Sequence, residues 1–418
     1  MESCDSCVNR QAPSVSIYRS PSFVKIGYKL QHNLFAVLKI LFYYTSLIDN
    51  ILSIFNLTKY IWIKRKICLS TGLIADAEQC KVADITWTLG PNLPEFRKGG
   101  CATVLDGRLI SVFGMRQPWG EMATMYVFDP QVNWWQRGPN GPICQTYVQG
   151  AECRGAFYTV GGRSRESNGV HNECYRLSSN DGKFLWNRIA NLNVKRAWAP
   201  SVSVGCNLFV FGGSQDVNGP TLQSVEMLDT DEPGAHWRKV SEIPGDSRGW
   251  SGAASVGEKI YLIGGLHFFE PNLAEPTNRK RFNEVWQFDP ATKRWQVKSH
   301  LPYRLSGFDC SVYKDRYIIV VGGAAEASDF TEEMQRIQQR DRFYESYYCP
   351  FVLVYDTASD RWHLMPSVLP TPTNDIRVVL HKDKLYALGG ENIEPATSNT
   401  TPWLRIGQIH LREKQETK

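Results

Sequence analysis

The sequence predicts an all-β propeller of six blades. Three observations support this fold class: a recurring glycine pair, a tryptophan at a nearly fixed distance before each pair, and the composition. The 418 residues include 12% aromatic residues, 33 glycines, 22 prolines and 13 tryptophans. Aromatic residues favour strands, whereas glycine and proline favour turns. The composition therefore predicts many short strands joined by turns, with helix as the minority.

A glycine pair follows an apolar run at five places, and a degenerate copy occurs at a sixth. In chain order the six segments are Val112-Phe-Gly-Met115 (the degenerate copy), Thr159-Val-Gly-Gly162, Phe209-Val-Phe-Gly-Gly213, Tyr261-Leu-Ile-Gly-Gly265, Ile319-Val-Val-Gly-Gly323 and Tyr386-Ala-Leu-Gly-Gly390. Two adjacent residues without Cβ let the chain turn sharply out of a strand and approach neighbouring backbone closely. Self-similarity of this kind predicts an array of structural repeats.

A tryptophan precedes each glycine pair by 26 or 27 residues. The six tryptophans are Trp87, Trp134, Trp186, Trp237, Trp295 and Trp362. The interval from a glycine pair to the next tryptophan varies far more, so we expect the constant part to be scaffold and the variable part to contain loops. The variable part contains a further strand, as in Val225–Thr230 and Val285–Pro290. Each unit is therefore predicted to be a blade of four antiparallel strands.

The combined pattern resembles that of the Kelch-repeat β-propeller family, and it extends over residues 83–418. The last repeat, which ends with Ile406–Leu411, has no downstream strand with a tryptophan. The segment Asp84-Ile-Thr-Trp87 has a tryptophan but no preceding glycine pair. We expect the 83–89 strand to pair with the last blade, which closes the ring and removes both sheet edges.

Residues 1–82 form an N-terminal extension that carries the whole charge excess. They contain ten Lys and Arg against five Asp and Glu, and the net charge of the chain is +5. Residues 34–63 are apolar but are interrupted by Lys39 and Asp49, so they are marginal for a membrane span. This apolar segment has three interpretations: membrane association, a soluble helix packed on the propeller, or an unused or misassigned N-terminal extension. No BTB-like or F-box-like partner domain is recognisable in these residues.

The compartment and the cofactors are constrained by the cysteines and histidines. Eleven cysteines are scattered without framework spacing, which favours a reducing compartment and the cytoplasmic side, with or without membrane association. The eight histidines form no local metal signature. We therefore expect neither a metal nor another cofactor. A charge-balanced propeller also argues against a nucleic-acid partner.

Arginines recur at the positions that should share one face of the propeller, after the glycine pairs and before the first strand of each blade. This predicted ligand-binding set is Arg97, Arg116, Arg163, Arg196, Arg248, Arg304 and Arg377, with Trp198, Trp250 and Trp119 beside them. Guanidinium groups bind carboxylates through two parallel hydrogen bonds, and indole rings offer stacking surfaces. The alternative is that these arginines support the scaffold.

Two long insertions should shape the same face. The loop Ala324–Pro350 includes Thr331–Arg340, for which the sequence predicts a helix, and Leu266–Glu270 lies in the fourth blade.

Within the Kelch class, short motifs are similar to those of the N-acetylneuraminate mutarotase (epimerase) family, another six-bladed propeller. They are Leu93–Gly100, the long loop after Gly323, Gly390-Glu391 and Leu404-Arg405. This resemblance implies that Glu391 moves a proton during anomer exchange and that Arg405 holds the sugar carboxylate, without a cofactor. The family's two residues lie only a few positions apart, whereas 14 positions separate Glu391 from Arg405.

Two functions follow as hypotheses from these observations. The first is a Kelch-repeat binding or scaffold protein, monomeric, that recognises an acidic protein segment or a carboxylated ligand on its loop face. The second is a sialic acid mutarotase that uses Glu391 and Arg405. A pocket in which these two residues converge would favour the enzyme.

Overall fold

The computed structural model describes residues 80–116, 120–216, 219–269, 279–337, 342–343, 346–394 and 397–412. Six four-stranded antiparallel sheets in this part of the chain form the six blades of a β-propeller. The first strand of each blade contacts the first strands of both neighbouring blades, so these strands surround the propeller axis. The predicted fold class is confirmed. The apolar segment 34–63 lies outside the described residues.

The first three blades follow directly along the chain after strand β1 (Val82–Leu89). Blade one contains β2 (Cys101–Leu105), β3 (Arg108–Val112), the short pair β4 (Met115–Arg116) and β5 (Gly120–Glu121), then β6 (Met125–Asp129) and β7 (Trp134–Arg137). Blade two contains β8 (Gln149–Cys153), β9 (Ala156–Ser164), β10 (Gly169–Asn180) and β11 (Lys183–Ile189). Blade three contains β12 (Ser201–Val204), β13 (Asn207–Phe211), β14 (Ser224–Asp229) and β15 (Arg238–Glu242).

The last three blades carry the larger additions between their second and third strands. Blade four contains β16 (Gly252–Val256), β17 (Lys259–Ile263), the added pair β18 (Leu266–Phe268) and β19 (Arg279–Arg281), then β20 (Val285–Asp289) and β21 (Arg294–Lys298). Blade five is preceded by β22 (Leu305–Ser306) and contains β23 (Asp309–Tyr313), β24 (Tyr317–Val321), the added strands β25 (Ala324–Glu326), β26 (Arg342–Phe343) and β27 (Ser346–Tyr348), then β28 (Val352–Asp356) and β29 (Arg361–Leu364). Blade six contains β30 (Arg377–His381), β31 (Lys384–Leu388), the added pair β32 (Glu391–Glu394) and β33 (Thr397–Thr400), and β34 (Leu404–Leu411).

The ring is closed by strands from opposite ends of the described chain. β1 pairs antiparallel with β34, with Ile85 opposite Ile409 and Trp87 opposite Gly407. The sheet order of blade six is therefore β30, β31, β34, β1. Because β1 has the outermost place in this sheet, blade six is completed by residues that precede blade one.

Hydrophobic clusters lie between neighbouring blades and hold the ring together. In one cluster Ile110 of blade one packs with Phe157 of blade two, and in another Leu109 of blade one packs with Tyr386 of blade six. Four of the six repeat tryptophans take part, namely Trp87, Trp186, Trp237 and Trp295, and Trp362 packs on Tyr355. Blade one differs. Trp134 is 65% exposed, whereas Trp135 is buried and donates from Nε1 to the Pro91 carbonyl at 2.9 Å.

The glycine pairs provide close contact between successive blades, as predicted for residues without Cβ. Gly212 has a φ of 54°, and a Cβ there would lie 2.1 Å from the Arg248 carbonyl oxygen. The next residue, Gly213, donates its amide hydrogen to that same carbonyl at 2.9 Å. A side chain at Gly212 would therefore separate blade three from the segment that enters blade four.

The insertion in blade five contains a helix inside the predicted segment 331–340. Helix α1 (Glu332–Ile337) follows a single 3₁₀ turn, Ala327–Asp329, and Thr331 Oγ1 accepts the amide hydrogen of Met334 at 3.2 Å. This contact is an N-terminal cap. In the described part of the chain, no helix has the length and apolar character needed to cross a membrane.

Candidate functional site

Six residues, one at the entry to each first strand, surround the propeller axis and are linked in series by backbone hydrogen bonds. We call Gly99, Tyr147, Trp198, Trp250, Gly307 and Asp375 the central ring. Their φ values lie between 50° and 66°. From Tyr147 to Asp375, each amide donates to the carbonyl of the ring residue in the preceding blade, at 2.6 to 3.0 Å. The face of the propeller that carries this ring is called the loop face below.

Aromatic side chains occupy one half of the central ring. The Tyr147 and Trp198 rings have centroids 4.5 Å apart, and the Trp198 and Trp250 rings stack at 4.4 Å with an interplanar angle of 24°. Phe268 meets Trp250 edge to face at 5.3 Å. We call Tyr147, Trp198 and Trp250 the aromatic stack. Trp198, in the middle of the stack, is 5% exposed, so the partly exposed outer rings of Tyr147 and Trp250 supply its apolar surface at the centre of the loop face.

Glu391 is the centre of a buried polar cluster beside the other half of the ring. Lys98 forms an ion pair with Glu391 Oε2. Tyr348 donates its hydroxyl to Glu391 Oε1 at 2.9 Å, and Asn374 Nδ2 donates to the same oxygen at 3.1 Å. Both Lys98 and Glu391 are 8% exposed. Three donors from three different blades therefore meet at one carboxylate.

Burial and mutual charge shift the pKa values in this cluster in different directions. Burial, followed by the charge of Glu391, raises the pKa of Asp375 to about 6. Burial raises the pKa of Tyr147 to about 12. Burial lowers the pKa of Lys98, but the Glu391 charge outweighs it, and the net pKa is raised. Groups with such different proton affinities are typical of acid and base sites.

Three predicted ligand-binding arginines lie inside the scaffold. Arg97, Arg196 and Arg248 are at most 4% exposed, and each donates from Nη1 to a backbone carbonyl near the glycine pair of its own blade. The acceptors are Phe113 O at 3.1 Å, Gly212 O at 2.8 Å and Gly264 O at 3.4 Å, respectively. Arg377, also buried, donates to the carbonyls of Gly100 and Ile376. The first three arginines thus tie the entry segment to their own blade, and Arg377 joins blade six to blade one.

The other three arginines lie on the loop face and are paired with acids. Arg116 contacts Glu95 at 3.3 Å, Arg163 contacts Glu121 at 2.6 Å and Arg304 contacts Asp329 at 2.6 Å. Of the predicted tryptophans, Trp198 and Trp250 belong to the central ring. Trp119 lies outside the described residues.

Glu391 and Arg405 approach one loop without touching each other. Arg405 is fully buried, donates from Nη2 to Thr373 Oγ1 at 2.8 Å, and has its guanidinium carbon 4.8 Å from the Trp403 ring centroid. Thr373 directly precedes Asn374, which donates to Glu391. Among the described residues, none accepts a hydrogen bond from Arg405 Nε or Nη1. Burial lowers the pKa of Arg405 to about 9.

Sequence reasoning missed Lys98, Tyr147, Tyr348, Asn374 and Asp375. A signal for some of them was present in the repeats. Arg196-Ala-Trp198 and Arg248-Gly-Trp250 occupy the same place in successive blades, and aligning them with the other four blades selects Gly99, Tyr147, Gly307 and Asp375. Tyr348 has no such signal, because it belongs to the insertion of blade five. The described residues contain no group of His, Cys, Asp or Glu arranged to hold a metal ion.

The six blades, their glycine pairs and the central ring define a Kelch-type β-propeller with a candidate site at the axis of its loop face. The chain belongs to the KLHDC2/KLHL20/DRC7 Kelch-repeats domain family, whose model matches residues 148–390, more than half of the chain.

Individual relatives are more distant. The N-acetylneuraminate epimerase of Yersinia enterocolitica serotype O:8 / biotype 1B is 26% identical over 201 residues, which are 44% of this chain and 50% of that protein. The F-box/kelch-repeat protein At1g80440 of Arabidopsis thaliana is 25% identical over 158 residues, 37% of each. The chain thus spans half or less of these relatives. The solved structure of YjhT has a TM-score of 0.60 at 15% identity and covers 78% of this chain and all of YjhT, which shows the shared fold.

Proposed function

We propose that this chain binds a small carboxylated ligand, of the size of a sugar, at the central ring of the loop face. The observation that carries the proposal is the position of the aromatic stack beside the buried cluster of Glu391 and Lys98. Small-molecule sites are typically lined by apolar and aromatic surface with a few placed polar groups. The aromatic stack would contact the apolar side of the ligand, and the cluster would orient its polar groups.

Arg405 supports the carboxylate part of the proposal. Its Nε and Nη1 are buried and have no acceptor among the described residues, which is costly for a charged donor. A ligand carboxylate would accept a hydrogen bond from one of these nitrogens and would neutralise the buried charge. The resemblance to the mutarotase family assigns the same role to Arg405.

An acidic protein segment is the other ligand that the sequence suggested. It would need cations on the rim of the loop face, and Arg116, Arg163 and Arg304 stand there. Each is already paired with a glutamate or an aspartate. The central cluster is therefore the better supported site.

Isothermal titration calorimetry of the full chain with N-acetylneuraminate tests the proposal. Replacing Arg405 by Met should weaken binding by about tenfold to a hundredfold, because a hydrogen-bonded charge pair with the carboxylate is lost. The matched control Arg116→Met removes an arginine whose side chain is 52% exposed and should leave the affinity unchanged. Absence of wild-type binding, or an equal loss in both variants, would contradict the proposal.

The geometry around Glu391 favours a second function at the same site, mutarotation of the bound sugar. Anomer exchange removes a proton from the anomeric hydroxyl and delivers one to the ring oxygen as the ring opens. Glu391 can accept the first proton, and Tyr348 and Lys98 hold its carboxylate in place. The names of the Yersinia relatives point to the same sugar.

Exchange between the α and β anomers of N-acetylneuraminate can be followed by NMR. Wild-type protein should accelerate it over buffer, and Glu391→Gln should lower that acceleration by about a hundredfold or more, the usual contribution of a positioned base. Glu121→Gln is the control, because Glu121 is also a buried acid paired with a basic side chain on this face, Arg163. If wild-type protein binds the sugar without accelerating exchange, the enzyme hypothesis is wrong and the binding function stands.

A further inference from the structure

The central ring is open on the side opposite the aromatic stack. Gly99 and Gly307 contribute no side chains there, and little room is left for one at either position. A Cβ on Gly307 would lie 2.2 Å from Asn374 Oδ1, and a Cβ on Gly99 would lie 2.7 Å from Thr146 Oγ1. Asp375, in the blade between these two, is therefore the one ring residue that presents a side chain on this side.

The carboxyl group of Asp375 is nearly buried, and no described residue donates a hydrogen bond to it. The residue is 8% exposed, and its own amide hydrogen is used by the Gly307 carbonyl at 2.9 Å. None of the described residues donates a hydrogen bond to its side-chain oxygens. A carboxylate with so little access to water is stabilised by a hydrogen-bond partner. A ligand at the central ring could supply that partner.

The surrounding charges decide which ligand group fits there. Asp375 faces the charges of Glu391, Lys98 and Arg377, and Lys98 is already paired with Glu391. A ligand carboxylate placed beside Asp375 would meet two acidic groups at close range. A hydroxyl or amide hydrogen would instead find a free acceptor.

We propose that Asp375 accepts a hydrogen bond from a hydroxyl group of the bound ligand, and that the site thereby selects acids with several hydroxyl groups over carboxylates with an apolar body. This inference rests on the proposed binding function and adds the residue that recognises the ligand's hydroxyl groups. Sites built to bind a hydroxyl group discriminate strongly against analogues that lack it, because the protein group is then left without a partner.

The test uses the full chain and three ligands: N-acetylneuraminate, cyclohexanecarboxylate, which has the carboxylate without hydroxyls, and N-acetylmannosamine, which has hydroxyls without the carboxylate. Asp375→Gly removes the carboxyl group without backbone strain, since glycine adopts a φ of 50° freely and already occupies two ring positions. Calorimetry should show a loss of at least about tenfold for both sugars and no change for cyclohexanecarboxylate. Circular dichroism and a melting curve report whether the variant is folded.

The outcomes separate the two proposals. Equal loss for all three ligands in a folded variant, or no loss for any, would overturn the role of Asp375. Tighter wild-type binding of N-acetylmannosamine than of N-acetylneuraminate would overturn the carboxylate preference, while a loss in Asp375→Gly would still support the hydroxyl contact. Failure of wild-type protein to bind any of the three would overturn both.

Discussion

Replacing Arg196 by Met is expected to lower the free energy of unfolding by about 3–5 kcal/mol, the usual cost of removing one partner from a buried ion pair. Arg196 and its partner Glu226 have side chains that are 0% and 1% exposed. The guanidinium group also donates to the carbonyls of Gly212 at 2.8 Å and Ser224 at 3.1 Å. The substitution would leave a carboxylate and two carbonyl oxygens without this donor.

Urea unfolding of the full chain measures the change, and Arg304→Met is the matched control. Arg304 also pairs with a carboxylate, Asp329, but its side chain is 39% exposed. Exposed ion pairs contribute about 0–1 kcal/mol, so the control should lose no more than that. Equal small losses at both positions would show that Arg196 does not hold blade three in place.

Replacing Asp375 by Asn is expected to stabilise the folded protein at pH 8 by up to about 3 kcal/mol and to have little effect at pH 4. Burial and the charge of Glu391 raise the pKa of Asp375 from 3.8 to about 6, with Lys98 and Arg377 opposing the shift. The folded carboxyl group thus holds its proton more tightly than the unfolded one. Wild-type stability should fall as the pH rises from about 4 to about 6, and the loss should persist above that range.

Asparagine is suited to this test because it tolerates a positive φ and cannot ionise. Asp181→Asn is the control, since Asp181 also has a φ of 50° but is exposed. Unfolding curves give the change in the free energy of unfolding relative to wild type. This change should differ between pH 4 and pH 8 for Asp375→Asn and should be the same at both for the control. A stabilisation that is the same at both pH values would assign the effect to packing and not to charge.

The fold was predictable because its determinants recur at fixed spacing. Glycine pairs and tryptophans repeat with nearly constant intervals, and they define six blades before any contact is known. The spacing assigned Trp134 to the repeat, whereas Trp135 is the buried one, because adjacent residues of a strand point to opposite sides. Spacing alone does not show that Trp134 faces outward from the edge strand of blade one.

The candidate site was predictable only in part, because its contacts join distant positions. Lys98 and Glu391 are brought together by the closure of the ring, and Tyr348 reaches Glu391 from an insertion. The recurrence of arginine was visible in the sequence, but recurrence alone does not separate a ligand contact from a scaffold contact. The structure identifies Arg196 as a scaffold contact, because its guanidinium group donates hydrogen bonds to backbone carbonyls of its own blade.

The pairing of β1 with β34 also determines how the repeats lose their structure. In a linear solenoid the end repeats have only one neighbour, so they need special capping sequences and can fray separately. Here the described repeats include no such end unit, because each blade is flanked on both sides and the sixth is completed across the junction. The propeller consequently has no terminal repeat that can fray first. Disruption of one interface between blades is therefore expected to destabilise the whole closed ring and not a single end.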